Sequence, residues 1–152
     1  MNDSQSGRPR YGEGDASFRA AGGEAGLRPL VDRFYDLIEE RPDAARIRKM
    51  HPQNLEVSRD KLTRFLCGWL GGPKRYAEKY GPIQIPKVHA HLPIGFAERD
   101  AWLACMEAAL NDQPMAEDFK AYLLRELAVP AERIRQVAYG GQSAGHQEIL
   151  SS

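Results

Sequence analysis

Apolar residues recur every three to four positions along most of the chain, and the places where this rhythm fails mark its joints. Leu27, Leu30, Val31, Phe34, Leu37 and Ile38 share one helical face and Pro42 closes the pattern, so a helix is predicted over 27–40, with Tyr35 beside its stripe. Leu62, Phe65, Leu66, Trp69 and Leu70 predict a second helix over 57–70, stopped by Gly71, Gly72 and Pro73. A third, over 97–110, opens with Glu98 and Asp100 at its positive dipole end and carries Trp102, Cys105, Met106, Ala109 and Leu110 on one face. Met115, Phe119, Tyr122, Leu123 and Leu127 begin a last helical region. Pro130 interrupts it, Ile134, Val137 and Ala138 resume it, and Gly140 and Gly141 end it.

The intervening stretches read differently. Pro42, Pro52 and Asn54 make 41–55 a broken connection, with His51 inside it. Prolines 82, 86 and 93 and glycines 81 and 95 make 74–96 an ordered loop, apart from one short helix over 74–80. No alternating strand pattern, internal repeat or heptad run is present, which makes the class all-α. Six glycines fall between Met1 and Gly26, amid scattered charge. The expected organisation is a flexible extension over 1–25, one helical domain over 26–139 and a flexible tail over 140–152.

Composition narrows the function classes. A chain of 152 residues, 42% of them hydrophobic, can build a single core. Twenty-one basic side chains balance twenty-one acidic ones, so neither a nucleic acid nor an anionic membrane is an expected partner. The polar N-terminus has no signal-peptide core, and no window offers the ~18–20 apolar residues of a membrane span, so a cytoplasmic protein is expected. Cys67 and Cys105 both lie in helical patterns, as buried reduced thiols do. No phosphate loop, Cys-x-x-Cys pair or Ser-His-Asp pattern occurs.

The chemistry concentrates elsewhere. Lys87-Val88-His89-Ala90-His91-Leu92-Pro93-Ile94 runs into Glu98-Arg99-Asp100-Ala101-Trp102-Leu103, and upstream stand Phe34-Tyr35, His51-Pro52 and Gly71-Gly72-Pro73. Singly, each has an ordinary reading: Trp102 as a core aromatic, Tyr35 as a helix flank, His51 as a turn residue before proline. Together and in this order they resemble the truncated haemoglobins, most closely group II, over 22–137. The resemblance implies a two-over-two helical sandwich of antiparallel pairs around haem b, with the Pro-rich stretch as its proximal loop. It also places the Gly22-Gly23 and Gly71-Gly72 pairs at the family's glycine motifs.

The same resemblance assigns site residues. The family's axial histidine precedes the Glu-Arg-Asp run by nine residues, as His89 does. His91 stands seven before it and is the neighbour, with the reversed assignment as the alternative. Tyr35, His51 and Trp102 match the distal set, whose hydrogen bonds hold a dioxygen molecule that takes on negative charge. Histidine at 51, where many members have tyrosine or phenylalanine, makes that set titratable near neutral pH. Whether Tyr35 or His51 itself binds the oxidised iron stays open.

Ser58 and Leu62 match positions that gate ligand entry, Phe65 adds apolar wall, and Phe34 is expected with them among the cofactor-binding residues. Tyr76 matches a tyrosine that contacts a propionate, and Lys61 is a second candidate from its place beside Leu62. The implied ligands are dioxygen, nitric oxide, carbon monoxide or peroxide, with an unidentified electron donor. Polar pockets of this kind release ligand slowly, which argues for redox or detoxification chemistry, peroxidase-like or nitric oxide dioxygenase-like, over bulk oxygen transport. The competing expectation is a cofactor-free sensor or interaction domain on the same scaffold. Monomer and homodimer are both compatible with the sequence.

Overall fold

The computed structural model describes residues 10–82 and 92–151, with side chains described as far as Ala138. The short α1 (Ala16–Ala20) leads into the long α2 (Gly23–Glu40). A 3-10 turn (Pro42–Ala44), α3 (Ala45–Lys49), α4 (Glu56–Trp69) and the short α5 (Arg75–Tyr80) follow, and then α6 (Phe96–Asn111) and α7 (Glu117–Ser151). The described residues contain no strand.

The core follows from the periodicity. Leu27, Leu30, Val31, Phe34 and Ile38 put a fully buried stripe on α2, which packs against α4 and α6, while α6 also packs on α7. Facing it lie Leu66 and Cys67 of α4, Cys105, Met106, Ala109 and Leu110 of α6, and Phe119, Leu123 and Leu127 of α7. Each such large apolar side chain taken from water contributes about 1.5–3 kcal/mol, so the seam between the α2/α4 and α6/α7 pairs is the main source of stability. Cys67 and Cys105 are both free and buried there.

Local signals set the helix ends. Arg41 is extended (φ −83°, ψ 129°), the geometry a following proline imposes, and α2 ends at Glu40. The first turn of α6 is closed by Glu98, whose carboxylate accepts the Gly95 N–H at 2.7 Å. That bond fixes the start of the helix nearly two turns before Trp102.

Three expectations are corrected. The extension expected to be mobile over 1–25 is packed from Tyr11 onward. The Tyr11 hydroxyl donates to Asp118 at 2.9 Å, its ring lies 5.3 Å from Phe119, and the Phe18 N–H donates to the Leu70 carbonyl at 3.1 Å. Ala16, Ser17 and Ala21 are buried. The Gly71-Gly72 pair is the reason this packing is possible. Gly71 has φ +93° and a Cβ there would come within 1.9 Å of the Gly14 carbonyl oxygen, while a Cβ on Gly72 would lie 2.5 Å from the Phe18 ring.

The last helix, expected to break at Pro130 and stop at Gly140 and Gly141, runs unbroken to Ser151. An interior proline costs a helix roughly 3 kcal/mol. Buried residues on both sides, Phe119, Leu123 and Leu127 before it and Ala138 after it, hold the axis in place. Glycine lowers helix propensity by only ~1 kcal/mol per residue, so a pair weakens a helix without dictating a stop.

Trp69, assigned to the buried face of α4, is 37% exposed and stacks on Phe65 instead, with ring centres 6.0 Å apart. The buried positions of that helix are Thr63, Leu66 and Cys67. The loop residues His89 and His91 lie outside the described residues.

Candidate functional site

A cavity of about 360 Å³ lies where α2, α4, α6 and α7 converge. Ile47, Leu62, Phe65, Leu92, Ile94, Leu127 and Ile134 give it apolar walls, and Tyr35, His51, Ser58, Lys61, Tyr76, Glu98, Arg99 and Trp102 bring polar atoms to them. Of the residues singled out from sequence, Tyr35, His51, Ser58, Lys61, Leu62, Phe65, Tyr76 and Trp102 are thus assembled around one space, from four helices and a connection.

Phe34 is the exception. It is fully buried behind the wall, its ring centre 5.0 Å from Trp102 and 5.1 Å from Tyr35, both edge-on. It fixes the two rings that reach the cavity and does not line the cavity itself. The ring series continues from Tyr35 to His51 at 5.5 Å, again edge-on.

The electrostatics of the wall are set by burial. Tyr35 is 6% exposed, and desolvation pushes its phenol well above the ordinary tyrosine value, with the Arg59 guanidinium 5.8 Å from the ring centre pulling partly back. The phenol therefore keeps its proton. Among the described residues neither the Tyr35 hydroxyl nor the Trp102 indole N–H finds a hydrogen-bond acceptor, yet no fully buried side-chain N or O atom is left unpartnered. Both groups consequently open onto accessible space, which at this wall is the cavity. His51 differs. Its Nδ1 lies 2.9 Å from the Ile47 carbonyl oxygen, which ties the ring to its own turn.

The rim is ionic. Lys61 Nζ sits 5.2 Å from the centre of the Tyr80 ring, Tyr76 and Tyr80 lie 5.1 Å apart, and the Tyr80 hydroxyl donates to Asp60 at 2.5 Å. That bond, with the Lys79 and Arg64 cations, holds the Asp60 carboxyl down to about 2.

Sequence reasoning missed three charged residues here. Arg59, mostly buried on α4, donates to the Asp32 carbonyl at 2.9 Å and to the Asp36 carboxylate at 2.9 Å, and so clamps the Tyr35 turn of α2. The available signal was Asp32, Asp36 and Glu39 at helical spacing on the outer face of that helix. Glu98 is nearly buried at the cavity and receives Arg46 at 3.5 Å as well as Gly95. Arg99 also lines the cavity, but it is committed to Glu132 and Asp100.

An apolar slot with cationic and hydroxyl groups at one edge and hydrogen-bond donors inside suits a flat macrocycle that carries two carboxylates. Four helices stacked two over two around such a slot define a globin-type sandwich.

The comparisons agree with this class. The model of the bacterial-like globin family matches residues 16–134. The group 2 truncated hemoglobin of Bacillus subtilis (strain 168) is 30% identical over 120 residues, 79% of this chain and 88% of its own. The group II 2-on-2 hemoglobin of Agrobacterium tumefaciens superposes with a TM-score of 0.74 at 36% identity, covering 78% of this chain and 92% of that one. The group II truncated hemoglobin of Bacillus anthracis gives 0.73 at 30%, covering 83% and 91%. The chain belongs to the bacterial-like globins and, among them, to the group II truncated haemoglobins. The two-over-two sandwich follows, and membership implies the binding of diatomic gases at haem. Among the described residues no helix is long and apolar enough to cross a membrane.

Proposed function

We infer that this protein holds haem b in the cavity with His89 as axial ligand, and binds dioxygen and related diatomic ligands for redox or detoxification chemistry on nitric oxide or peroxide. The observation that carries this reading is the wall on which the buried Tyr35 hydroxyl and the Trp102 N–H open into one apolar space. His89 is assigned by the family resemblance alone, from its place nine residues before Glu98.

Bound haem supplies a metal centre that takes up small ligands and changes oxidation state. The chain supplies the rest. Lys61 and Tyr76, which line the cavity, would meet the carboxylates of the cofactor, and Leu62 and Phe65 would exclude water from its face. Tyr35 and Trp102 offer two hydrogen-bond donors to a ligand that carries partial negative charge, and a donor to a charged acceptor contributes about 1.5–3 kcal/mol. Such a ligand leaves slowly, which disfavours a role in bulk oxygen delivery.

Visible spectra of haem-supplied protein, oxidised, reduced and under carbon monoxide, test this reading beside a His89→Ala variant. A Soret band that shifts with carbon monoxide and is lost or altered in the variant is the expected outcome. A wild-type protein without stoichiometric haem overturns it in favour of a cofactor-free scaffold.

A further inference from the structure

We propose that Arg59 is a positioning residue for ligand binding: from outside the cavity its guanidinium pins the turn of α2 that carries Tyr35 to the turn of α4 that carries Ser58 and Leu62, and so sets how well the Tyr35 hydroxyl meets a ligand with partial negative charge. This inference rests on the functional reading above and adds to it a residue that touches neither ligand nor cofactor.

Phe34 and His51 pack edge-on against the Tyr35 ring and set its tilt. Where its hydroxyl stands along the cavity depends on how α2 sits on α4, and Arg59 joins the two helices at that level. One terminal nitrogen of Arg59 donates to the Asp32 carbonyl at 2.9 Å and to the Asp32 carboxylate at 3.1 Å, and the other donates to the Asp36 carboxylate at 2.9 Å. Asp32 precedes Tyr35 by three residues and Asp36 follows it by one, so the two arms span the turn that carries the phenol. The guanidinium carbon lies 5.8 Å from the centre of the Tyr35 ring. On α4, Arg59 comes directly after Ser58 and three residues before Leu62, both of which line the cavity, while Arg59 stays behind the wall.

Burial and geometry give this clamp its weight. The Arg59 side chain is 16% exposed, against 35% for Arg28, whose pair with Glu56 also joins α2 to α4 but stands about two turns before Tyr35. A planar guanidinium that donates to two carboxylates and a carbonyl fixes direction as well as distance, which the point charge of a lysine does not. Direction matters because a hydrogen bond weakens steeply as it bends. A ligand that takes on negative charge, as dioxygen does, gains most from a well-aimed phenol. Carbon monoxide carries little charge and gains little, so a clamp that acts through Tyr35 separates the two ligands.

Two measurements test the proposal. Stopped-flow release of dioxygen and of carbon monoxide from the reduced haem protein is compared in the parent, Arg59→Met, Tyr35→Phe and the double variant. Arg59→Met should quicken dioxygen release about tenfold, within the range for coupled neighbours, leave carbon monoxide release unchanged and have no effect once Tyr35 is replaced by Phe. Equal quickening for both ligands, or an effect that survives in the double variant, means a widened cavity and overturns the proposal. Arg59→Lys keeps the charge without the fork and serves where Arg59→Met does not fold. It should quicken dioxygen release as well, and a parent-like rate overturns the proposal. Carbon-13 NMR of Tyr35 Cζ in the haem-free protein reads the positioning directly: the resonance should move in both Arg59 variants, and an unmoved resonance overturns the proposal. A parent protein that takes up no haem would instead overturn the functional reading, and the haem-free spectra would still decide whether Arg59 sets Tyr35.

Discussion

Two sides of the cavity are built on different physics. The wall formed by Trp102, Tyr35 and His51, with Phe34 behind it, belongs to a run of edge-to-face rings at 5.0–5.5 Å, set into the core where α2 meets α6. The rim formed by Lys61, Tyr76, Tyr80, Asp60, Lys79 and Arg64 is a mesh of ion pairs and phenols on α4 and α5, much of it open to solvent. Ring packing is indifferent to salt and costly to disturb. Exposed ion pairs contribute about 0–1 kcal/mol and are screened. The protein thus fixes the groups proposed to meet a ligand and leaves adjustable the groups proposed to meet the edge of a cofactor.

The contrast is broken most severely at Phe34. Phe34→Ala removes the ring that holds both Tyr35 and Trp102, and a large-to-small change at a fully buried site should cost about 3–5 kcal/mol, read from urea unfolding. The loss should persist in high salt.

Tyr35→Phe sharpens the comparison by sparing the packing and deleting one hydroxyl. Because that hydroxyl opens onto the cavity and not onto a protein acceptor, stability should change little. Dioxygen release from the haem-loaded protein should quicken about 10–100-fold, the equivalent of one charge-assisted hydrogen bond. Stopped-flow displacement by carbon monoxide gives the rate, and an unaltered rate would remove Tyr35 from ligand contact.

The smallest effect belongs to the rim. The folded Asp60 carboxyl titrates at about 2, below its ordinary 3.8, so its contribution is complete above the ordinary value and fades as pH falls through that interval. Tyr80→Phe removes the largest cause of the depression, so the Asp60 carboxyl should titrate higher and the acid-side loss of stability tied to it should shrink. Carbon-13 NMR of the Asp60 carboxyl would check this, and an unmoved titration would show that Lys79 and Arg64 suffice.

Much of this was legible in the sequence because it is local. The stripe Leu27, Leu30, Val31, Phe34, Ile38 dictates a buried helix face, and Pro42 and Gly71-Gly72 punctuate the helices as their chemistry requires. Eight of the residues singled out there line one cavity, because a four-helix sandwich brings the inner ends of those stripes together. What escaped is non-local. Periodicity puts Phe34 on an inward face but cannot say whether that face meets a cofactor or another ring. Arg59 reads as one more surface cation until α2 lays Asp32 and Asp36 against it. The segment from Tyr11 to Gly22 looks unstructured because much of what it packs on, from Leu70 to Tyr122, is distant in the chain. Pro130 and the Gly140-Gly141 pair are weak punctuation once a helix is anchored by Phe119 and Leu123.

The close fit of Gly14 and Phe18 over the second glycine pair has a practical reading for anyone trimming this protein. A shortened version that starts at Gly26, where the helical rhythm begins, would strip the cover from the hinge between α4 and α5 and bare the Phe119 and Tyr122 rings to water. The leading residues act as a keystone, and screening truncations for solubility should find the floor upstream of Tyr11.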